Sequence, residues 1–337
     1  MAVPPLTSDA FLDALDEPAL IVGGGRTLAA NSAARALLGA TIVNRDIRIA
    51  MRHPQALQAI LAGKSADVAI IGLGSAERPW TLSVRPIARG SVLIRLADRS
   101  AAIAAEKMRV DFVANASHEL RTPLATISGF AETLAEEGPL DEQARSRFGA
   151  TIHTESARML RIIEDLMGLS RIEADRFVAP RDEIDLIAIA RIAAQQTAAL
   201  CERKGCVVEV VAREEALMVV GDHAQLLQVA DNLISNAVRY GCSPKASLVR
   251  VEVERDGGRG LLRVIDQGDG IAADHLPRVT ERFYRVDPAR SRDSGGTGLG
   301  LAIVKHIVER HRGTLDIRSH AGDGTIVDVR IPLVAVD

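Results

Sequence analysis

Apolar positions along the 337-residue chain change their spacing twice, and the changes divide it into three segments. Between residues 10 and 98 the apolar runs are short. Ala19 to Val22 reads as a strand closed by the turn signal Gly23-Gly24-Gly25, and Ala29 to Leu38 reads as a short helix with Asn31 or Ser32 able to cap it. Apolar or alternating runs near Val68 to Ile71, Trp80 to Val84 and Ser91 to Leu96 read as strands of one sheet. This segment is expected to be a small mixed α/β domain.

From Ser100 the pattern becomes helical, alanine-rich and free of Gly and Pro for its first turns. One long helix is predicted from about 100 to 136. The run Glu136-Glu137-Gly138-Pro139-Leu140-Asp141 ends it, and a second helix follows from about 141 to 172 with Asp141 as its cap. Val113, Ala116, Leu120, Ile127 and Leu134 form the apolar seam of the first helix; Phe148, Ile152, Met159, Ile163 and Leu166 form that of the second. A hairpin with one stripe per helix cannot bury both by itself. Residues 99–175 are therefore expected to pair with a second copy as an antiparallel four-helix bundle.

Arg176 to Pro180 reads as a hinge. Beyond it, helices at about 185–200, 223–240 and 299–311 interleave with strand-like runs at Val207 to Val211, Val219 to Val220, Leu248 to Glu254, Leu261 to Asp266, Thr314 to Ser319 and Thr325 to Ile331. Several strands arrive as a meander rather than alternating with helices. Residues 182–335 are thus expected to be a two-layer α/β sandwich, and the whole chain a multidomain α+β protein.

Composition narrows the function classes. A net charge of −3 with both signs interspersed gives no basic stripe for direct nucleic-acid binding and no polybasic membrane anchor. Cys201, Cys206 and Cys242 form no CxxC pair and no zinc spacing, so free thiols in a reducing compartment are expected. No apolar run reaches the roughly 18–20 residues of a membrane span, and Met1 to Asp9 has no signal-peptide pattern. A cytoplasmic chain is expected, with membrane contact only if an upstream anchor is missing from this chain.

The first long helix carries Asn115, His118, Glu119, Thr122 and Pro123. His118 and Thr122 are one turn apart on a shared face. Pro123 has no N–H, so the Glu119 carbonyl loses its helical partner and a bend is expected just past the histidine. Glu119 can bond one imidazole nitrogen and fix the tautomer, leaving the other nitrogen as a nucleophile. The H-E-x-x-H metalloprotease pattern is excluded, because Thr122 stands where the second histidine would be.

Three further features lie within the last segment. Gln228, Asn232, Asn236, Arg239 and Tyr240 lie on one predicted helix, with Asn232 and Asn236 placing two amides on one face, able to meet phosphate oxygens and a magnesium ion. A strand ends in Asp266-Gln267-Gly268-Asp269-Gly270, where Asp266 can accept from an exocyclic amine such as adenine's. Gly296-Thr297-Gly298-Leu299-Gly300 opens a helix whose N-terminal amides can face phosphates. Neither GxxxxGK[ST] nor G-x-G-x-x-G is present. Between the second and third features, Phe283 and Tyr284 anchor a polar lid from which Arg285, Arg290 or Arg292 can reach phosphates.

Taken together and in order, these motifs resemble those of the bacterial two-component sensor histidine kinases, and within them the phosphate-regulon sensor kinases, over about residues 105–335. The His118 stretch resembles the phosphoacceptor box, Asn232 and Asn236 the asparagine box, Asp266, Gly268 and Gly270 the first glycine box. Phe283 matches the phenylalanine box, Gly296, Gly298 and Gly300 the second glycine box, and Gly322-Asp323-Gly324-Thr325 the final turn. The resemblance implies a GHKL-type ATP-binding sandwich, shared with gyrase and Hsp90 chaperones, joined to a dimeric hairpin. By carry-over, Asn236 helps hold Mg2+, Asp266 reads adenine, Tyr240 packs near the base, and Arg239, Arg285, Thr297, Leu299 and Thr325 belong to the ATP site. Glu119 assists transfer to His118, and Thr122 with Glu119 supports phosphatase activity. The implied partner is a response regulator with a DNA-binding output domain.

Two positions depart from the family pattern. Thr280 stands where relatives usually carry Phe, which removes a ring under the lid, and Arg239 replaces a lysine while keeping its charge. Residues 10–98 resemble a PAS sensor domain through Leu20 to Leu38, with Trp80 as a packing residue rather than a cofactor contact. The expected activity is autophosphorylation of His118 from ATP, then transfer to a regulator's aspartate. The alternatives are a protein acting mainly as a phosphatase or ATP-gated scaffold, or a PAS-type receptor with a vestigial kinase half.

Overall fold

The computed structural model describes residues 8–73, 78–87, 90–136, 141–175, 178–242, 247–287 and 296–334. The chain divides into two compact units, residues 1–111 and 112–337.

The first unit runs α1 (Ser8–Asp13), β1 (Ala19–Gly23), β2 (Arg26–Ala30), α2 (Ser32–Leu38), α3 (Ile47–Ala50), α4 (Pro54–Ala62), β3 (Ala66–Ile71), β4 (Pro79–Pro86) and β5 (Ser91–Asp98). Its sheet is antiparallel throughout, in the order β2-β1-β5-β4-β3. The inward positions Leu82, Val84, Ile94 and Leu96 are fully buried. The sequence predicts a helix from Ala29, but Ala29 and Ala30 finish β2. The boundary is set by Asn31, whose buried Oδ1 accepts from the amides of Ala19 and Ala34, both at 2.9 Å. Its Nδ2 donates to the carbonyls of Leu12, Leu15 and Glu17 at 3.2, 3.0 and 2.8 Å. One amide thus joins α1, β1 and α2. Trp80 is buried, with Nε1 donating to the Leu73 carbonyl at 3.1 Å, so it packs as expected.

Two long helices follow, α5 (Ser100–Ala135) and α6 (Glu142–Ala174). Helix α5 runs on through Pro123, and Asp141 caps α6 by accepting the Ala144 amide. The predicted connection at 137–140 and part of the predicted hinge, 176–177, lie outside the described residues. Of the predicted seam, Val113 and Ile163 are exposed and the others are half-buried. The buried stripe of α6 is instead Arg158, Ile162, Leu169 and Ile172. Leu124, Leu160 and Met167 are also exposed within the single chain.

The remainder contains β6 (Asp182–Asp185), α7 (Leu186–Gln196), α8 (Ala198–Lys204), β7 (Val207–Ala212), β8 (Met218–Gly221) and α9 (His223–Asn236). A π-helical turn (Ala237–Gly241) then leads to β9 (Leu248–Asp256), β10 (Arg259–Asp266), α10 (Gly300–Arg310), β11 (Thr314–His320) and β12 (Gly324–Pro332). The main sheet has the order β11-β12-β10-β9-β7, with only the β7–β9 pair parallel; β6 and β8 form a separate ribbon. Helices α7, α9 and α10 share one apolar core with this sheet. The predicted helix at 185–200 divides at Thr197, whose hydroxyl bonds the Ala193 carbonyl at 2.8 Å. His311 ends α10 fully inside: its Nε2 accepts from the Asp222 amide at 3.0 Å, and its Nδ1 bonds the Ile307 carbonyl at 2.8 Å.

Replacing Asn31 by Ala removes five hydrogen bonds to backbone groups of the first unit and is expected to cost about 2–4 kcal/mol, read as a lowered denaturation midpoint for that unit. Burial holds the His311 imidazole below its ordinary value of 6.5. The unfolded chain therefore binds its proton first, and stability falls as pH drops through the unfolded value. Urea titrations at pH 7.5 and 5.5 are expected to show this loss in the wild type and a smaller one in His311→Gln.

Candidate functional site

A cavity of about 450 Å³ lies in the second unit among α9, its π turn, the end of β10, residues 284–287, the start of α10 and one face of α6. Asn232 and Asn236 line it one helical turn apart. Asn232 Nδ2 is buried with no hydrogen-bond partner, a donor already stripped of water and suited to an anionic oxygen. Gly300 lies beside both: a Cβ there would come within 3.3 Å of Asn232 Oδ1 and 3.8 Å of Asn236 Nδ2. The π turn after α9 carries Arg239 and Tyr240 to the cavity wall.

Asp266 closes the base of the cavity from the end of β10. Its Oδ1 accepts the Gly268 amide at 3.0 Å. Burial raises its proton affinity above the usual carboxylate value, while the amides of Gly268 and Thr325 pull the other way. A part-buried carboxylate held by backbone amides keeps lone pairs for a further N–H donor. The following loop turns at Gly270 with φ of 67°, where a Cβ would lie 1.9 Å from the His320 carbonyl oxygen. The Asp266–Gly270 loop is thereby locked to the β11–β12 turn, and Ser319 Oγ completes the join by accepting from Ile271 N at 2.8 Å and donating to Gly324 O at 2.6 Å. Thr325 lines the cavity from this turn.

Gly296, Thr297, Gly298 and Gly300 border the cavity ahead of α10. Gly298 has φ of 73°, and a Cβ on it would meet Phe283 Cα and C at 2.9 Å. Phe283 itself has φ of 63° and donates its amide to the Gly298 carbonyl at 2.9 Å. Its ring packs on Phe112 of α5 with centroids 5.9 Å apart. The start of the lid is thus fixed by an aromatic pair, although the partner ring comes from the hairpin. Arg285 donates to the Gly296 carbonyl and approaches Glu119 to 3.6 Å. Arg290 and Arg292 lie outside the described residues.

The third wall was not foreseen in the sequence. Helix α6 contributes Arg161, Glu164 and Asp165. Thr297 Oγ1 donates to Asp165 Oδ2 at 2.7 Å, and burial raises the Asp165 proton affinity against that bond. Asp231, next to Asn232, is likewise raised by burial. Several sequence-marked residues stand off the cavity wall, Gly268, Leu299 and Gln228 among them. Gly268 packs on the π turn, Leu299 is fully buried in the core, and Gln228 faces Gly168 of α6, where an added Cβ would meet its Nε2 at 3.7 Å.

On α5, His118 is exposed and its ring has no hydrogen bond among the described residues. Thr122, also exposed, donates its hydroxyl to the His118 carbonyl at 3.4 Å. Glu119 does not bond the imidazole as the sequence suggests. Its Oε2 accepts from Arg158 Nη2 at 3.1 Å, because the carboxylate turns into the hairpin toward a buried cation. Among the described residues, no group of three or more His, Cys, Asp or Glu side chains is disposed to hold a metal ion. The buried thiols Cys201 and Cys206 are free and pushed up to about 11, chiefly by burial. Among the described residues no helix is long and apolar enough to cross a membrane.

A glycine-bordered cavity on a two-layer GHKL-type sandwich, packed against a helix pair bearing an exposed histidine, defines a phosphoacceptor hairpin joined to an ATP-binding domain. Residues 108–175 match the His Kinase A (phospho-acceptor) domain family. Residues 221–335 match the Histidine kinase-, DNA gyrase B-, and HSP90-like ATPase family. The chain belongs to the sensor histidine kinases of two-component systems.

Over 220 residues it is 38% identical to the phosphate regulon sensor protein PhoR of Pseudomonas aeruginosa, covering 65% of this chain and 49% of that protein. The chain therefore spans about half the length of this curated relative. Full-length ShkA in complex with AMPPNP aligns with a TM-score of 0.50 and 26% identity, over 68% of this chain and 46% of that one. Histidine kinase ThkA, in complex with response regulator protein TrrA, aligns with a TM-score of 0.52 over 97% of this chain and 99% of that one; at 18% identity the likeness is one of fold.

Gly298→Ala forces a Cβ into the Phe283 backbone at a left-handed position. Affinity for a fluorescent ATP analogue is expected to fall roughly tenfold, about 1.4 kcal/mol, with the circular dichroism spectrum unchanged.

Proposed function

We propose that this chain is an ATP-dependent protein-histidine kinase that phosphorylates His118 and passes the phosphoryl group to an aspartate of a response regulator. The observation that carries the reading is the cavity itself. Asn232, Asn236, Asp266 and the Gly296–Gly300 loop converge on one space, in the same packed unit as the helix presenting His118.

In this reading Asp266 accepts the adenine amine and Tyr240 lies by the base. The orphaned Asn232 amide, Thr297, Arg239, Arg285 and the amides at the start of α10 hold phosphate oxygens. The carboxamide oxygen of Asn236 would help hold a hard cation, which would supply charge neutralisation at the phosphates. The exposed His118 nitrogen forms a bond to the γ-phosphorus as the bond to the ADP oxygen breaks, and Glu119 receives or orients the proton on the other ring nitrogen. The regulator's aspartate then displaces the imidazole from phosphorus.

Residues 99–175 act as the dimerisation and phosphotransfer domain and 182–335 as the catalytic domain. The exposed apolar side chains Val113, Leu124, Leu160 and Met167 on the hairpin support a homodimer closed by a four-helix bundle. The antiparallel five-stranded sheet with its crossing helices supports a PAS-like sensor role for residues 10–98. A regulator phosphatase activity is favoured by one observation, the exposed Thr122 hydroxyl one turn beyond His118.

Incubation with γ-labelled ATP and Mg2+ is expected to give an acid-labile, base-stable phosphoprotein in the wild type and none in His118→Ala. Asn236→Ala is expected to lower the labelling rate by roughly 100-fold. Label retained in His118→Ala overturns the acceptor, and wild-type protein that binds ATP without labelling overturns the kinase.

A further inference from the structure

Arg158 stands where the apolar pattern of α6 calls for a hydrocarbon. It heads the buried stripe continued by Ile162, and its side chain is only 9% exposed. A guanidinium taken out of water needs a close anion, and this one has Glu119 at 3.1 Å, with Glu155 further off at 3.8 Å. Glu119 directly follows His118 on α5. Successive residues on a helix point about 100° apart, so the exposed histidine and the inward-turned glutamate occupy adjoining faces. The carboxylate sits at the edge between them.

The contact is made through one oxygen. Arg158 bonds Glu119 Oε2, and the closest approach of Arg285, at 3.6 Å, is to that same atom. Oε1 has no hydrogen bond among the described residues. A carboxylate gripped from behind by one oxygen keeps the other for the imidazole N–H of its neighbour. The two arginines differ in permanence. Arg285 belongs to the lid segment and is a ligand for phosphates in the reading above, whereas Arg158 shares the hairpin with His118 and keeps its hold whatever the lid does.

We infer that Arg158 is a positioning residue for phosphoryl transfer, which fixes Glu119 through Oε2 and leaves Oε1 to orient the His118 ring. The inference rests on the kinase reading. Arginine suits the role because its planar fork fixes direction and its charge does not titrate in the working range. An ion pair that merely stabilised the hairpin would look the same in the structure, but it would behave differently in a double-mutant cycle.

The test is the rate of autophosphorylation at saturating ATP in the full chain for wild type, Arg158→Met, Glu119→Gln and the double variant, with Arg158→Lys as the conservative replacement. Arg158→Met is expected to lower the rate about tenfold or more while the Kd for an ATP analogue stays within about twofold. In the Glu119→Gln background it is expected to add nothing, and Arg158→Lys is expected to recover most of the rate. Multiplying effects of the two substitutions, a parallel change in nucleotide affinity, or Lys no better than Met each overturn the assignment. Should Arg158→Met lose helicity, the cycle is read with Arg158→Lys and Arg158→Gln in the same two backgrounds. Absence of labelling in the wild type strikes the kinase reading; a labelled wild type with an additive cycle strikes only the role of Arg158.

Discussion

The second unit is held in its present arrangement by an apolar seal. Leu169 and Ile172 of α6, 0% and 3% exposed, belong to the same buried cluster as Ile303 and Ile307 of α10. Full burial of two such side chains is worth about 3–6 kcal/mol before entropy is subtracted. The polar contacts around the seal, Thr297 to Asp165, Arg282 to Glu173 and Arg285 to Glu119, are part-buried, and the desolvation of their charged groups offsets much of their attraction. They read position; the leucine and isoleucine supply most of the attraction. A seal of this size is strong enough to populate one arrangement and weak enough for a ligand with a few kcal/mol of differential affinity to displace.

Charge gives that displacement a direction. The cavity is walled by Asp165 and Asp231 as well as Asp266, and burial makes all three reluctant to ionise. An anionic ligand placed among them is opposed by Asp165 and favoured by Arg239 and Arg285. Asp165 comes from the hairpin, while Arg239 and Asp266 come from the sandwich. Occupancy of the cavity and contact between the two parts are therefore thermodynamically linked, in both directions.

The long helices, the meander and the three glycine-bearing motifs could be read from the chain because each is written in local spacing. The boundary at Asn31 could not, since an alanine-rich run suits a helix until a buried amide captures it for a cap. Strand β6 and helices α3 and α4 were missed because they are short and carry no strong period. The α6 wall was invisible for a different reason. Thr297 and Asp165 are 132 residues apart, and nothing near Asp165 distinguishes it from an ordinary solvated helix face. Arg158 broke the apolar pattern in plain view, yet its partner on α5 was needed before the irregularity had a meaning.

Phe283 adopts a backbone conformation that a side-chain-bearing residue avoids, with φ of 63°. Holding a bulky residue there stores on the order of 1–3 kcal/mol, retained only while neighbouring contacts over-determine it. Here those contacts are the Gly298 carbonyl and the Phe112 ring. Detachment of the segment from α5 returns part of that strain, so its release is easier than a count of its contacts suggests. The aromatic at the root of the lid is a cocked spring as much as an anchor.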